Sequence, residues 1–241
     1  MTARLADHAW PDVDRRAPGA VLAVPVGATE QHGPHLPLST DTDIAVALAE
    51  GLARRRSSVL VAPPVAYGSS GEHTDFAGTM SIGRDAIELL LVELGRSASH
   101  TFRRMLMIST HGGNYDPVRR AELRLRAEGR DVQSFFPIWP GDAHAGRIET
   151  SLMLALDPVR VRLDRATVGV TDPLEKLLPR LCNDGVRKVS PNGVLGDPGG
   201  ASADEGETLL RWALEQAVNL IDGWTESNAV RWSVPKQSRV R

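Results

Sequence analysis

Short apolar runs alternate with longer helical patterns along this chain, and this alternation constrains the fold more than any other feature. The run from Ala20 to Val26 is apolar at every position, as in a strand that helices cover on both faces. Comparable runs follow over 58–62, 104–109 and 132–136. Amphipathic helical patterns cover 43–55, 85–102, 116–128 and 203–224. Together they predict an α/β protein, a three-layer α/β/α sandwich with a mainly parallel sheet.

Length, charge and composition set the broad class. The chain has 241 residues, of which 41% are hydrophobic and 24% charged, close to a globular average. We predict a single domain over 1–241, with its core at about 20–223 and a basic, flexible tail over 227–241. A net charge of −2 gives no reason to expect binding to nucleic acid. No stretch approaches the roughly 20 apolar residues that span a membrane, so we expect a cytoplasmic protein with no membrane partner.

A single cysteine beside seven histidines limits the kind of metal site that this chain can form. Cys182 alone excludes an intrachain disulfide and an all-cysteine zinc or iron–sulfur site, and we expect its thiol to be buried. The sequence lacks G-x-S-x-G, G-x-x-x-x-G-K-[ST] and H-E-x-x-H motifs. Imidazole and carboxylate ligands remain, and a water activated by a metal is then the natural nucleophile.

Polar side chains follow two of the predicted strands at the point where ligands bind in parallel sheets. Glu30 and His32 come after the first strand and, being two residues apart, project to the same side of an extended segment. Asp41 ends the same loop, which two prolines stiffen. His111 leaves the strand at 104–109 and is followed by two glycines that allow a close turn. These four residues are either a metal site or a set of satisfied polar contacts.

The ordered motifs of the chain resemble those of the creatininase (creatinine amidohydrolase) family. They are TEQHGPHLPL from Thr29, then Asp41, GEH ending at His73, FAGT ending at Thr79, HGGN ending at Asn114, and HAGxxETS from His144. Three further segments resemble a branch of the family that trims a modified precursor peptide in redox-cofactor biosynthesis. They are AYGSSGEH from Ala66, LRAEGRD from Leu125 and GVLGDP from Gly193.

This resemblance implies a site with two divalent metal ions per subunit. Position by position, Glu30, Asp41 and His111 match the ligands of one ion. His32 and the bridging Asp41 match ligands of the other. Nitrogen and oxygen ligands suit zinc, iron(II) and manganese alike.

One departure from the family concerns a carboxylate ligand. Creatininase has His-Tyr-Glu where this chain has His111-Gly112-Gly113, so that glutamate is missing. We expect Glu149 to replace it as a ligand and to act in catalysis. We also expect His144, with an ordinary pKa near 6.5, to return a proton to the leaving amine.

Other side chains near these motifs have open assignments. We place His73, Trp139 and Asn114 in the substrate pocket, although His73 equally suits a structural hydrogen bond and Trp139 a partly buried packing position. His35 either orients a metal ligand or caps its loop. Asp43 is predicted as the N-cap of the helix over 43–55 rather than as a ligand.

The resemblance implies a metal-dependent amide or peptide hydrolase that uses a metal-bound hydroxide. Its peptide substrate would be cleaved near the C terminus, releasing a crosslinked Val-Tyr-derived unit. The alternatives are hydrolysis of a small cyclic amide or formamide, and a metal-binding module without catalysis. The family further implies a homo-oligomer, a hexamer or another assembly built of dimers.

Overall fold

The computed structural model describes residues 2–231, with side chains through Trp224. Its helices and strands, in chain order, are α1 (Trp10–Arg16), β1 (Val21–Val26), α2 (Thr40–Arg55), β2 (Val59–Val61), α3 (Arg84–Ala98), β3 (Arg104–Ser109), α4 (Tyr115–Ala127), β4 (Asp131–Phe135), α5 (Arg147–Leu156), α6 (Leu174–Asp184), α7 (Val186–Val189) and α8 (Ala203–Arg231). Two of its short 3-10 turns, Gly71–His73 and Gly112–Asn114, matter for the site described below.

The four strands form one parallel sheet in the order β2-β1-β3-β4. In the central pair, Val21 lies opposite Arg104 and Val26 lies opposite Ser109. Because β1 and β3 end in register, the segments that follow them leave the same edge of the sheet side by side. This edge is the one at which the sequence places its polar motifs.

Helices cover both faces of the sheet, which confirms the three-layer α/β/α sandwich. Val21 and Ala23 of β1 point into a core formed with α2, α5 and α8. Leu22 and Val24 point to the opposite face, into a core formed with α3 and α4. Both faces of β1 are therefore buried, as its continuous apolar sequence predicts.

The core that supports this edge can be tested at Leu106 of β3, whose exposed fraction is 0%. We expect Leu106→Ala to lower the free energy of unfolding by about 2–5 kcal/mol, because it removes buried apolar area and leaves a cavity. The matched control is Leu123→Ala on α4, where the side chain is 59% exposed. Its effect should stay within about 0.5 kcal/mol in denaturant titrations. Equal losses in the two variants would contradict this description of the core.

Some sequence predictions need correction. Helix α2 begins at Thr40, so Asp43 lies inside the helix rather than at its N-cap. Its carboxylate accepts a hydrogen bond from Ser39 (2.7 Å) and pairs with Arg160 (2.8 Å). Cys182 is exposed rather than buried. Helices α1, α6 and α7 were not predicted, and α5 was indicated only as a helical segment.

The C-terminal helix is longer than its amphipathic pattern predicts. Helix α8 continues beyond Trp224 to Arg231, so residues 227–231 are helical and not a flexible tail. The rest of the predicted basic tail, 232–241, lies outside the described residues. Within the described part of the chain, no helix combines the length and apolar character that a membrane crossing requires.

Candidate metal centre

Six side chains predicted to act in metal binding or catalysis converge at the carboxyl edge of the sheet. They are Glu30, His32, Asp41, His111, His144 and Glu149. The first two lie in the loop after β1, Asp41 is the second residue of α2, and His111 follows β3 directly. His144 lies just before α5, and Glu149 lies in the first turn of that helix. Four separate segments are thus held together by the sheet and the helices on one of its faces.

Glu30, Asp41 and His111 form one buried ligand set, whose donor atoms lie within 4.8 Å of one another. The two ring nitrogens of His111 lie 3.4 Å from Glu30 Oε2 and 3.4 Å from Asp41 Oδ2. His111 Nε2–H donates to the carbonyl oxygen of Ser69 (2.8 Å). The lone pair of Nδ1 therefore points toward Asp41, as metal ligation requires.

A second set consists of His32, His144 and Glu149, again within 4.8 Å. His32 Nε2 lies 3.8 Å from Glu149 Oε2 and 3.4 Å from Asp41 Oδ1. Asp41 therefore presents one carboxylate oxygen to each set, the arrangement that a bridging ligand needs. His144 Nδ1 lies 4.0 Å from Glu149 Oε2. The sequence assigned His144 to proton transfer alone, whereas this geometry also makes it a candidate ligand. Its expected pKa near 6.5 is wrong, because burial and the neighbouring His32 and His73 lower the pKa of His144 well below that value.

The donor atoms of both sets fit divalent cations. Both carboxylate oxygens of Glu30, Oδ2 of Asp41 and Nε2 of His32 are buried without a hydrogen-bond partner in the described residues. Leaving buried polar atoms unpaired costs free energy, and a bound cation removes that cost. Oxygen and imidazole nitrogen donors suit zinc, iron(II) and manganese.

Burial and mutual charge shift the titration of these groups when no cation is bound. Burial raises the pKa of Glu30 and of Glu149 to about 7 each. Burial alone would lower the pKa of His32, but Asp41 and Glu149 outweigh it and raise this pKa to about 10. Burial opposes ionisation of Asp41 as well, yet His32 and His111 lower its pKa. Without a bound cation, these groups therefore hold protons at the positions that cations would take.

Metal loading is therefore expected to release more protons at pH 6 than at pH 8. At pH 6 the carboxyls of Glu30 and Glu149 and the imidazole of His32 are mostly protonated, whereas at pH 8 only His32 is. Ligands must lose their protons to bind, so affinity should rise with pH over this range. Calorimetry of zinc binding in two buffers of different ionisation enthalpy measures the release. Proton uptake, or equal release at both pH values, would contradict this.

The metal-ligand cluster lies where two grooves meet. The larger groove, of about 1130 Å³, contains His111, Glu149 and Trp139 in its wall. The second, of about 750 Å³, contains Glu30, His111, His73 and His144. His111 and Gly112 line both grooves, so a ligand can approach the cluster from two sides. Volumes of this size accommodate an extended ligand of several residues.

The three predicted pocket residues have different surroundings. His73 lines the second groove, and with Glu30 and His144 it forms a third group of ligand atoms within 4.8 Å of one another. Trp139 lines the larger groove, packs against the core with α8 and donates from Nε1 to the carbonyl oxygen of Leu209 (3.2 Å). Asn114 is fully buried. Its amide nitrogen donates to Gly27 (2.9 Å) and its amide oxygen accepts from the backbone of Ser69 (2.9 Å), so it joins loops rather than facing a substrate.

His35 links the metal-binding loop to α5. Its Nε2–H donates to Thr150 Oγ1 (2.9 Å), and the Thr150 hydroxyl in turn donates to Gly146 (2.6 Å). Burial and the neighbouring charge of His32 lower the pKa of His35 to about 4, so it is neutral. Of the two alternatives left by the sequence, these contacts favour support of the ligands, because Thr150 adjoins Glu149.

Comparison with known proteins places the chain in a family. The sequence profile of creatinine amidohydrolases, the creatininase family, matches residues 6–221. This chain belongs to the creatininase family. It is 47% identical over 213 residues to a Mycobacterium ulcerans protein named mycofactocin precursor peptide peptidase, with 85% of each chain covered. It is 29% identical over 248 residues to the creatinine amidohydrolase of Pseudomonas putida, covering 88% of this chain and 93% of that one.

Solved structures of the creatininase family have the same architecture. One described as creatininase Mn matches with a TM-score of 0.78 at 25% identity, covering 92% of this chain and 98% of its own. The three-layer fold predicted from strand–helix alternation is therefore the fold of the family. The name of that structure also associates manganese with this relative.

Gly113 explains why this creatininase-family chain lacks the glutamate of the His-Tyr-Glu motif. A side chain at Gly113 would collide with the carbonyl oxygen of Ser69 and with the imidazole of His111. Glu72 Oε1 lies 2.9 Å from the position that a Cβ would take. The segment around Gly71–His73 thus fills this space, and Glu149 is the carboxylate that lies with His32 and His144 in the candidate ligand set.

Two residues near the centre were not singled out from the sequence. Glu72 lines the second groove beside His111. Burial alone would lower the pKa of His111, but Glu30 and Asp41, with a smaller contribution from Glu72, raise it. Gln31 is buried between two of the histidines of that groove, His73 and His144. In the sequence, only its position between the predicted ligands Glu30 and His32 indicated that Gln31 lies near the site.

Proposed function

We propose that this protein is a metal-dependent peptidase that cleaves the mycofactocin precursor peptide near its C terminus and releases the crosslinked Val-Tyr-derived unit. The relatives at 46–47% identity that carry this name support the substrate. The single observation that carries the catalytic proposal is the buried cluster of unpaired ligand atoms on Glu30, His32 and Asp41.

We assign the residues of the cluster to two ion positions. Glu30, Asp41 and His111 would hold one ion, and His32, Asp41 and Glu149 the other. Two bound divalent ions would supply an activated water and polarise the scissile carbonyl. His144 faces the cluster through Nδ1, 3.8 Å from Glu30 Oε1. It is placed to take a proton from the attacking water and to return it to the leaving amine.

The open shape of the site supports a peptide over a small cyclic amide. A peptide chain must enter and leave the reacting position, whereas a small cyclic amide is best held in an enclosed pocket. Here the grooves that meet at His111 continue the site in two directions. The creatininase-type activity of the more distant relative is the competing possibility, and the test below includes it.

The test compares substrates and metal states in one assay. The purified protein, either chelated or reloaded with zinc, iron(II) or manganese, is incubated with the modified precursor peptide, the unmodified peptide and creatinine. We expect mass spectrometry to show release of the C-terminal unit from the modified peptide, and only after reloading. Turnover of creatinine without peptide cleavage would replace the proposal by the amidohydrolase alternative. No turnover and no bound metal would reject both.

Assembly and location are also proposals. Family membership supports a homo-oligomer built of dimers, a hexamer included. We also propose a cytoplasmic location, with neither nucleic acid nor membrane as a partner, because the net charge of −2 offers no attraction to either.

A further inference from the structure

The orientation of the Gln31 amide is fixed by two backbone groups. Its Oε1 lies 2.8 Å from the N–H of Gly33, which can only donate. Its Nε2 lies 3.0 Å from the carbonyl oxygen of Gly193, which can only accept. Exchanging the amide oxygen and nitrogen would break both bonds, so the usual ambiguity of a glutamine amide does not arise here.

This orientation determines where the proton of His73 lies. The second Nε2 hydrogen of Gln31 points to His73 Nδ1 at 2.9 Å. A nitrogen that accepts a hydrogen bond carries no proton, so a neutral His73 must carry its proton on Nε2. An imidazole whose Nδ1 accepts a hydrogen bond is neutral. The Nε2–H of His73 therefore faces the groove, 3.5 Å from Glu30 Oε1.

The same residue also fixes the proton of His144 on Nε2, but in this imidazole it is the unprotonated Nδ1 that faces the groove. His144 Nε2 lies 2.9 Å from the backbone oxygen of Gln31, so Nε2 carries the proton. The lone pair of Nδ1 then faces Glu30 and Glu149. The two imidazoles, with ring centroids 4.6 Å apart, thus present complementary groups to one groove: a donor from His73 and an acceptor from His144.

We propose that Gln31 is a positioning residue that holds His73 as a hydrogen-bond donor to the carbonyl oxygen of the scissile amide. The role of His73 rests on the proposed function. Negative charge grows on the carbonyl oxygen as the bond to the attacking water forms, and an oriented N–H stabilises it without moving. Asn114 and Trp139, which the sequence placed in the pocket, use their polar donors within the protein and do not compete for this role.

The first test reads the proton positions without any substrate. Long-range ¹H–¹⁵N spectra of histidine-labelled protein at pH 7, metal-free and zinc-loaded, should show His73 and His144 both protonated on Nε2. In Gln31→Glu, the carboxylate can only accept, so the His73 proton should move to Nδ1 while His144 is unchanged. A proton on Nδ1 of His73 in the wild type, or zinc bound to its Nε2, would overturn the proposal.

The second test uses two substitutions that keep different parts of the imidazole. His73→Gln places an amide N–H near the position of Nε2, whereas His73→Asn reaches only the position of Nδ1. We expect kcat for amide cleavage to fall about 10²–10³-fold in His73→Asn and much less in His73→Gln, with unchanged metal content. His100→Asn, on an exposed histidine, controls for the substitution itself.

Equal activity of the two variants, or loss of metal in both, would overturn the donor role. Failure of the mycofactocin peptide as a substrate would leave the spectra unaffected. The two proposals can therefore fail separately.

Discussion

Asp41→Asn is expected to lose at least one metal ion per chain and about 10³-fold or more in cleavage rate. Asp41 offers Oδ1 to His32 and Oδ2 to His111, each at 3.4 Å, so one carboxylate serves both ligand sets. An amide in its place has one oxygen and turns N–H donors toward a cation. Losing several kcal/mol of metal stabilisation corresponds to about three powers of ten in rate.

Asp43→Asn is the matched control for this substitution. It is the same chemical change, two residues further along α2, at a carboxylate that pairs with Arg160 and Ser39 instead of the cluster. Metal analysis and peptide cleavage should give near wild-type values in this variant. Two metals per chain and an undiminished rate in Asp41→Asn would contradict the bridging role.

His144→Gln should reduce kcat by about 10²–10⁴-fold, the range for losing a positioned acid or base. Glutamine retains an N–H near Nε2, so the hydrogen bond to the Gln31 carbonyl is preserved, whereas the lone pair at Nδ1 is lost. The change therefore removes the group that faces Glu30 and Glu149 but not the contact that holds the segment.

Metal analysis separates the two roles available to His144. A proton carrier can be replaced with little change in metal content, whereas a ligand cannot. Unchanged kcat would contradict any catalytic role. Loss of one ion per chain would show that His144 is a metal ligand of the second set and not a proton carrier. His100→Gln, on an exposed histidine, provides the control.

The sheet and the candidate metal ligands were predictable because their signals are local. The apolar run at β1 predicts a strand buried on both faces, and the rule that ligands bind beyond parallel strands places Glu30, His32 and His111 at one edge. The register of Val26 with Ser109 then brings the two loops together, as observed. Asp41 was predicted with them because it ends the loop that contains Glu30 and His32.

The remaining features depend on contacts between distant segments. Helix α6 has leucines at helical spacing, but Pro179 lies inside it and argues against a helix in the sequence. The helix packs against the 3-10 turn that contains His73. Gln31 acquires its role only when Gly193 approaches it from 162 residues away along the chain. The sequence placed Asn114 in the substrate pocket, but its hydrogen-bond partners, Gly27 and Ser69, come from other loops.

The most direct test of the central claim is a metal titration that follows cleavage. Zinc is added stepwise to chelated protein, and bound metal per chain is measured in the same samples as release of the C-terminal unit from the modified precursor peptide. We predict no cleavage without metal and a rate that rises until two ions are bound per chain. Full cleavage by the metal-free protein, or a rate that does not change with metal content, would contradict the account.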